Sequence, residues 1–137
     1  MTKKISNGVK LTLSILPEKI GICHFAKNSP IPRWALEENR FISITRTKDE
    51  LSIICPEDKI PGGVLVERGW RAFQLHTSLD FTATGIVSGL STPLAEAKIS
   101  IFCISTYETN YILVEDKNLE KAKKILGTFC DIKKNNL

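Results

Sequence analysis

Few side chains in this sequence could do covalent or metal chemistry, and their spacing keeps them apart. The four cysteines, Cys23, Cys55, Cys103 and Cys130, are scattered, and the two histidines are His24 and His76. Zinc sites draw on Cys and His pairs at short regular spacing, and no C-x-x-C pair occurs. Cys23 and His24 are adjacent, but neighbours on an extended strand point to opposite faces and could not readily share an ion. A distant cysteine and histidine could still converge as nucleophile and base. Nothing in the spacing favours that over buried thiols acting as small apolar side chains. There is no Walker loop, no G-x-G-x-x-G, no G-x-S-x-G and no H-E-x-x-H. No catalytic residue, no metal and no cofactor are expected, and the chain does not read as an enzyme.

Charge narrows the partners. Nineteen Lys and Arg against fifteen Asp and Glu leave a net charge of +4, gathered mostly at the ends: Lys3, Lys4 and Lys10, then Lys121, Lys123, Lys124, Lys133 and Lys134. The central arginines, Arg33, Arg40, Arg46, Arg68 and Arg71, are separated by acids and form no stripe with stacking aromatics, so no nucleic acid is expected. No apolar run approaches the roughly 18 residues that span a bilayer. The basic start, Met1 to Gly8, is followed by no apolar stretch long enough for a secretory signal. With scattered cysteines, this points to a cytoplasmic protein with reduced thiols and no membrane partner. At 137 residues, 42% hydrophobic and 25% charged, the chain suits one compact domain or two very small ones sharing a core.

The elements follow from periodicity. Residues 10–15 and 20–25 alternate polar and apolar side chains as half-buried strands do. Pro30 and Pro32 mark a loop, and residues 34–38 allow at most a helical turn. Residues 41–45 and 51–55 read as a hairpin closed by Pro56; residues 64–68 are ambiguous, and 70–76 read as a strand. Ile86, Val87, Leu90, Leu94 and Ala97 keep helical spacing, with a kink expected at Pro93. Residues 99–105 and 111–114 form a second hairpin. An amphipathic helix over 119–126 follows, with Gly127 placed to cap it and 129–132 as a last strand. The two hairpins match at an offset of 60 residues, which suggests an internal repeat of strand, helix, strand, strand.

A β-α-β-β-α-β order in each half is the ferredoxin-like arrangement, and the fold class expected is α+β. Thr84-Gly85-Ile86-Val87, Pro93-Leu94-Ala95-Glu96-Ala97, Ile99-Ser100-Ile101-Phe102 and the run from Ser105 to Val114 together resemble ACT domains. The resemblance is to the small tandem ACT proteins related to aspartate-kinase regulatory regions and CASTOR-type amino-acid sensors. Residues 41–47 and 50–53 resemble the degenerate N-terminal unit of such proteins. By chain order the units are 9–68 and 69–134, packed as one pseudo-duplicated domain. The resemblance implies a non-catalytic regulatory module that binds an amino acid where the loop opening a helix meets the strand of a neighbouring unit.

On that footing Gly85 lets backbone amides approach a carboxylate, and the helix dipole favours the anion. Thr82 and Thr84 are candidate N-caps. Ile86 and Val87 line the helix start, and Ser105, Thr106, Tyr107 and Asn110 offer polar contacts. Asn110 stands where the family's run would carry an acid, which disfavours a basic amino acid unless Glu108 substitutes. The same residues also fit a purely structural turn and hairpin, with Ile86, Val87, Leu90, Ile101 and Tyr111 in the core. The resemblance further implies a homodimer, with a ligand-independent module docking a partner enzyme as the alternative.

Overall fold

Strands form wherever apolar and polar side chains alternate, and helices where the apolar period lengthens. The computed structural model describes residues 11–37, 40–76 and 85–134. In chain order its strands are β1 (Leu11–Ile15), β2 (Ile20–Phe25), β3 (Ser43–Arg46), β4 (Leu51–Pro56), β5 (Leu65–His76), β6 (Ile101–Ser105), β7 (Asn110–Glu115) and β8 (Cys130–Lys134). Its helices are α1 (Ile86–Glu96) and α2 (Leu119–Leu126). The ambiguous residues 65–68 are strand, continuous with 70–76. Two compact units result: Glu18–Trp70, and Met1–Pro17 with Arg71–Leu137. The division by chain order assigns β1 to residues 9–68, whereas its pairing groups it with the C-terminal unit.

In the unit Glu18–Trp70 the strand order is β3-β4-β2-β5. This is the ferredoxin-like order, with both crossover helices reduced to 3-10 turns at Arg33–Leu36 and Glu57–Lys59. Proline is the N-cap of each turn, at Pro32 and Pro56, so neither can extend toward the N-terminus as a regular helix. The core holds Cys23, Ala35, Leu51, Ile53, Cys55 and Ile60, with Phe25 and Trp34 packed on it. Between Ile20 and Ile22 the register of β2 on β5 shifts. There Gly69 takes φ +82, the left-handed conformation that glycine adopts without strain. Its amide donates to Glu57 Oε1 at 2.8 Å, fixing the bulge.

The C-terminal unit has the order β6-β7-β5-β1-β8. It is again β-α-β-β-α-β, with β1 inserted between the first and last strands of the motif. β1 runs antiparallel to β5 and parallel to β8, with Leu13 opposite both Leu75 and Ile132. Alternate residues of these strands face α1 and α2, so Leu11, Leu13, Phe73, Leu75, Leu90, Leu94, Ile112 and Leu126 share one core. Ile86 and Leu90 are buried as expected, while Val87, Ile101 and Tyr111 are only half-buried. In α2, Leu119, Ala122 and Leu126 are buried and Lys121 and Lys124 exposed, as the amphipathic pattern requires.

The two helix ends differ. Gly127 is the C-cap of α2, but with a right-handed backbone at φ −66 and ψ −13. α1 ends in a Schellman motif: the Ile99 amide donates to the Leu94 carbonyl and the Lys98 amide to the Ala95 carbonyl, both at 2.9 Å. Ile99 and Leu94 meet in the core, as that motif favours. The residue that must turn left-handed is Lys98, at φ +62. A Cβ there costs about 1 kcal/mol that glycine avoids. Lys98→Gly is therefore expected to raise unfolding stability by about 1 kcal/mol, read as a higher urea midpoint at unchanged slope.

The repeat is visible in the hairpins. Arg46 faces Leu51 in the first and Ser105 faces Asn110 in the second, each across a four-residue loop. The structural offset is thus 59, not 60. It matches Ile53 with Ile112 and Cys55 with Val114, all core-facing. A slip of one residue would have matched core positions with the opposite face.

Candidate ligand site

The candidate site lies in the C-terminal unit, at the end of the sheet where β5 leads toward α1. Gly85 is the N-cap of α1, at φ +85 and ψ 0. Its carbonyl accepts from the Gly89 amide at 2.7 Å, opening the helical ladder. In that ladder the first amides of α1 have no intrahelical acceptor, and a glycine N-cap offers no side-chain oxygen to them. No acidic residue lies in the first turn. A Cβ on Gly85 would meet nothing within 4 Å among the described residues. Ile86 anchors the helix start in the core, and Val87 is half-buried. Thr82 and Thr84 lie outside the described residues.

The hairpin between β6 and β7 holds the other expected residues. Ser105 Oγ donates to Asn110 Oδ1 at 2.6 Å. Thr106 closes its own loop: its amide donates to the Thr109 carbonyl at 2.8 Å, and its Oγ1 accepts from the Thr109 amide at 3.1 Å. Those hydroxyls first serve the turn, and Asn110 retains its amide donors. Tyr107 projects from the loop, 89% exposed. Burial raises the Tyr111 hydroxyl pKa above its ordinary value.

Sequence reading missed Thr109. Its Oγ1 donates to the Leu75 carbonyl, tying the loop to the last turn of β5 before the chain proceeds to Gly85. That bond fixes the hairpin loop to the C-terminal end of β5. The T-x-x-T spacing of Thr106 and Thr109 was a usable signal for the turn, but not for the cross-strand bond.

The two histidines each face a polar side chain, and three of the four cysteines are buried while Cys103 is exposed. His76 Nε2 is 2.7 Å from Ser14 Oγ, and His24 Nε2 is 3.9 Å from Glu50 Oε1. Cys23, Cys55 and Cys130 are buried, and burial raises each thiol pKa. Among the described residues no cluster of three His, Cys, Asp or Glu could hold a metal ion. No helix among them is long and apolar enough to cross a membrane.

Two β-α-β-β-α-β units in tandem, one with a glycine-started helix, define an α+β protein of the ferredoxin-like ACT type. A family model described as the ACT domain matches residues 65–128, and a second, for an N-terminal domain, matches 18–63. The chain carries an ACT domain over residues 65–128. It resembles protein Atu0741 of Agobacterium tumefaciens, at 36% identity over 95% of this chain and 97% of that one, with a TM-score of 0.87. The ligand-free regulatory subunit of aspartate kinase from Thermus thermophilus shares the fold at 9% identity, covering 92% and 99% of the chains, with a TM-score of 0.61. The human "Putative protein CASTOR3P" is 29% identical in a 93-position alignment that covers 58% of this chain and 57% of that relative. The chain therefore spans just over half the length of that curated relative.

Proposed function

We propose that this chain is a non-catalytic regulatory protein that binds a free amino acid, its carboxylate at the amides opening α1. The observation that carries the reading is Gly85, left-handed and without a side chain at the start of an eleven-residue helix. Such an end favours a carboxylate through both its free N–H groups and its dipole. Ile86 and Val87 frame the helix start, while Ser105, Thr106, Tyr107 and Asn110 supply the polar side of the site. A neutral amino acid suits Asn110 best, because its amide cannot form an ion pair with a cationic side chain. The relative from Thermus, a regulatory subunit, supports regulation without catalysis.

The working form in this reading is a cytoplasmic homodimer. β6 is an edge strand of its sheet among the described residues, pairing there with β7. It carries exposed Phe102 and Cys103, and an apolar edge of this kind invites another strand. The same edge would serve the alternative, docking onto a partner enzyme without a ligand.

The test is a thermal melt against the twenty amino acids, with light scattering in parallel. One of them, at a hundred-fold excess over its dissociation constant, is expected to add about 2.7 kcal/mol and raise the midpoint by several degrees. No shift with any amino acid at millimolar concentration overturns ligand binding. A dimer indifferent to all twenty would favour docking.

A further inference from the structure

A second cleft, of about 480 Å3, opens in the unit Glu18–Trp70, and the Gly85 site has no part in it. It is lined by Arg33, Trp34, Leu36, Arg40, Asp58 and Lys59, with Glu37 on its rim. Arg40 is engaged: its Nε donates to Glu18 Oε2 at 2.9 Å and one terminal nitrogen to both Asp58 oxygens at 3.0 and 3.1 Å. Lys59 is different. Its side chain is only 4% exposed, and Glu37 Oε1 stands 3.1 Å from Nζ on a carboxylate 58% exposed. That contact is an ion pair without hydrogen-bond alignment, and Nζ has no aligned acceptor among the described residues. A buried ammonium with three donors and one off-axis carboxylate is poorly satisfied.

We infer that this cleft binds a small oxyanion, a carboxylate or phosphate carried on an apolar or planar body. The anionic oxygens would meet Lys59 Nζ, with Arg33 as a second cation at the exposed rim. Trp34 is held by the core and by Phe25, whose ring centroid lies 6.3 Å away, so it presents a fixed apolar wall. The half-exposed Leu36 extends that wall. Arg33, Arg40 and Lys59 are balanced by Glu37, Asp58 and the Glu18 carboxylate that Arg40 also binds, so the attraction rests on the poorly satisfied Lys59 Nζ and not on net charge.

The full chain would be titrated with sodium benzoate and with sodium phosphate, against sodium chloride at matched ionic strength, following the Trp34 indole N–H resonance. Saturable shifts with benzoate in the millimolar range are expected. Lys59→Met should weaken binding at least ten-fold, and Arg33→Ala, an exposed change that leaves folding intact, about three-fold or more. Saturation by phosphate as well would show that the oxyanion alone suffices, whereas benzoate alone would show that the apolar body is required. A Trp34 resonance that neither anion moves beyond the chloride control overturns the inference. Affinity unchanged in both variants does the same. Gly85→Val should leave benzoate binding intact, which separates this site from the amino-acid site.

Discussion

Raising the pH from about 9 to about 11 is expected to remove about 3 kcal/mol of stability from each compact unit, through one buried thiol in each. Burial pushes the Cys55 thiol up to about 11, helped by the neighbouring Cys23 sulfur and opposed by Lys59 and Arg40. Burial likewise raises Cys130 to about 11, with Asp131 adding to the shift. An unfolded thiol loses its proton near its ordinary value of 9, while the folded one keeps it for about two further pH units. The folded state therefore binds more protons across that window. Its advantage is complete below pH 9 and disappears as the pH climbs to 11, at about 1.4 kcal/mol per unit.

The two units can be read separately in urea melts under a reducing agent. Both tryptophans, Trp34 and Trp70, lie in Glu18–Trp70, so their fluorescence follows Cys55. Both helices lie in the C-terminal unit, so far-UV ellipticity follows Cys130. Cys55→Ala and Cys130→Ala should each cost about 1 kcal/mol at neutral pH and flatten the alkaline fall in their own unit only. A loss is large against a total stability of about 5–15 kcal/mol. Stability that holds level to pH 10.5, or an alkaline fall undiminished in the alanine variants, would disprove the account.

What the sequence made legible divides by the range of the interaction. α1 and α2 follow from helical spacing, and the hairpins from β-branched runs around polar loops. These signals are local, and α1 begins at Ile86 as its pattern requires. The position of β1 is not local: Leu11–Ile15 alternates correctly, but nothing in five residues says that it inserts between β5 and β8. The offset failed for a related reason. Residue similarity matches the hairpins at 60, while the side of the sheet each residue faces is set by cross-strand partners and requires 59. At the candidate site the glycine was legible through the family resemblance, as a residue that lets backbone amides approach a carboxylate. Thr109 was not, because its acceptor is the carbonyl of Leu75, a residue 34 positions away. Lys98 went unread because the left-handed position at a helix end belongs by preference to glycine.

Gly85→Val is expected to weaken amino-acid binding at least a hundred-fold while the chain keeps its fold. The left-handed φ of +85 decides this, since a Cβ there would meet no atom of the described residues within 4 Å. A β-branched residue in that region carries about 1–3 kcal/mol of strain and will relax toward negative φ. Relaxation turns the peptide that opens α1 and misdirects amides meant for the ligand carboxylate. Hydrogen bonds to a charged group contribute about 1.5–3 kcal/mol each, so losing two gives a factor of about a hundred to about twenty thousand. Asparagine tolerates left-handed backbone, so Gly85→Asn should keep affinity within about ten-fold and cost under about 1 kcal/mol. Gly85→Ala should fall between them. Calorimetric titration of the amino acid found by the thermal screen would rank the three, with ellipticity confirming that α1 persists. Equal affinities across the series, or normal binding by the valine variant, would mean that the amides of α1 are not the anchor.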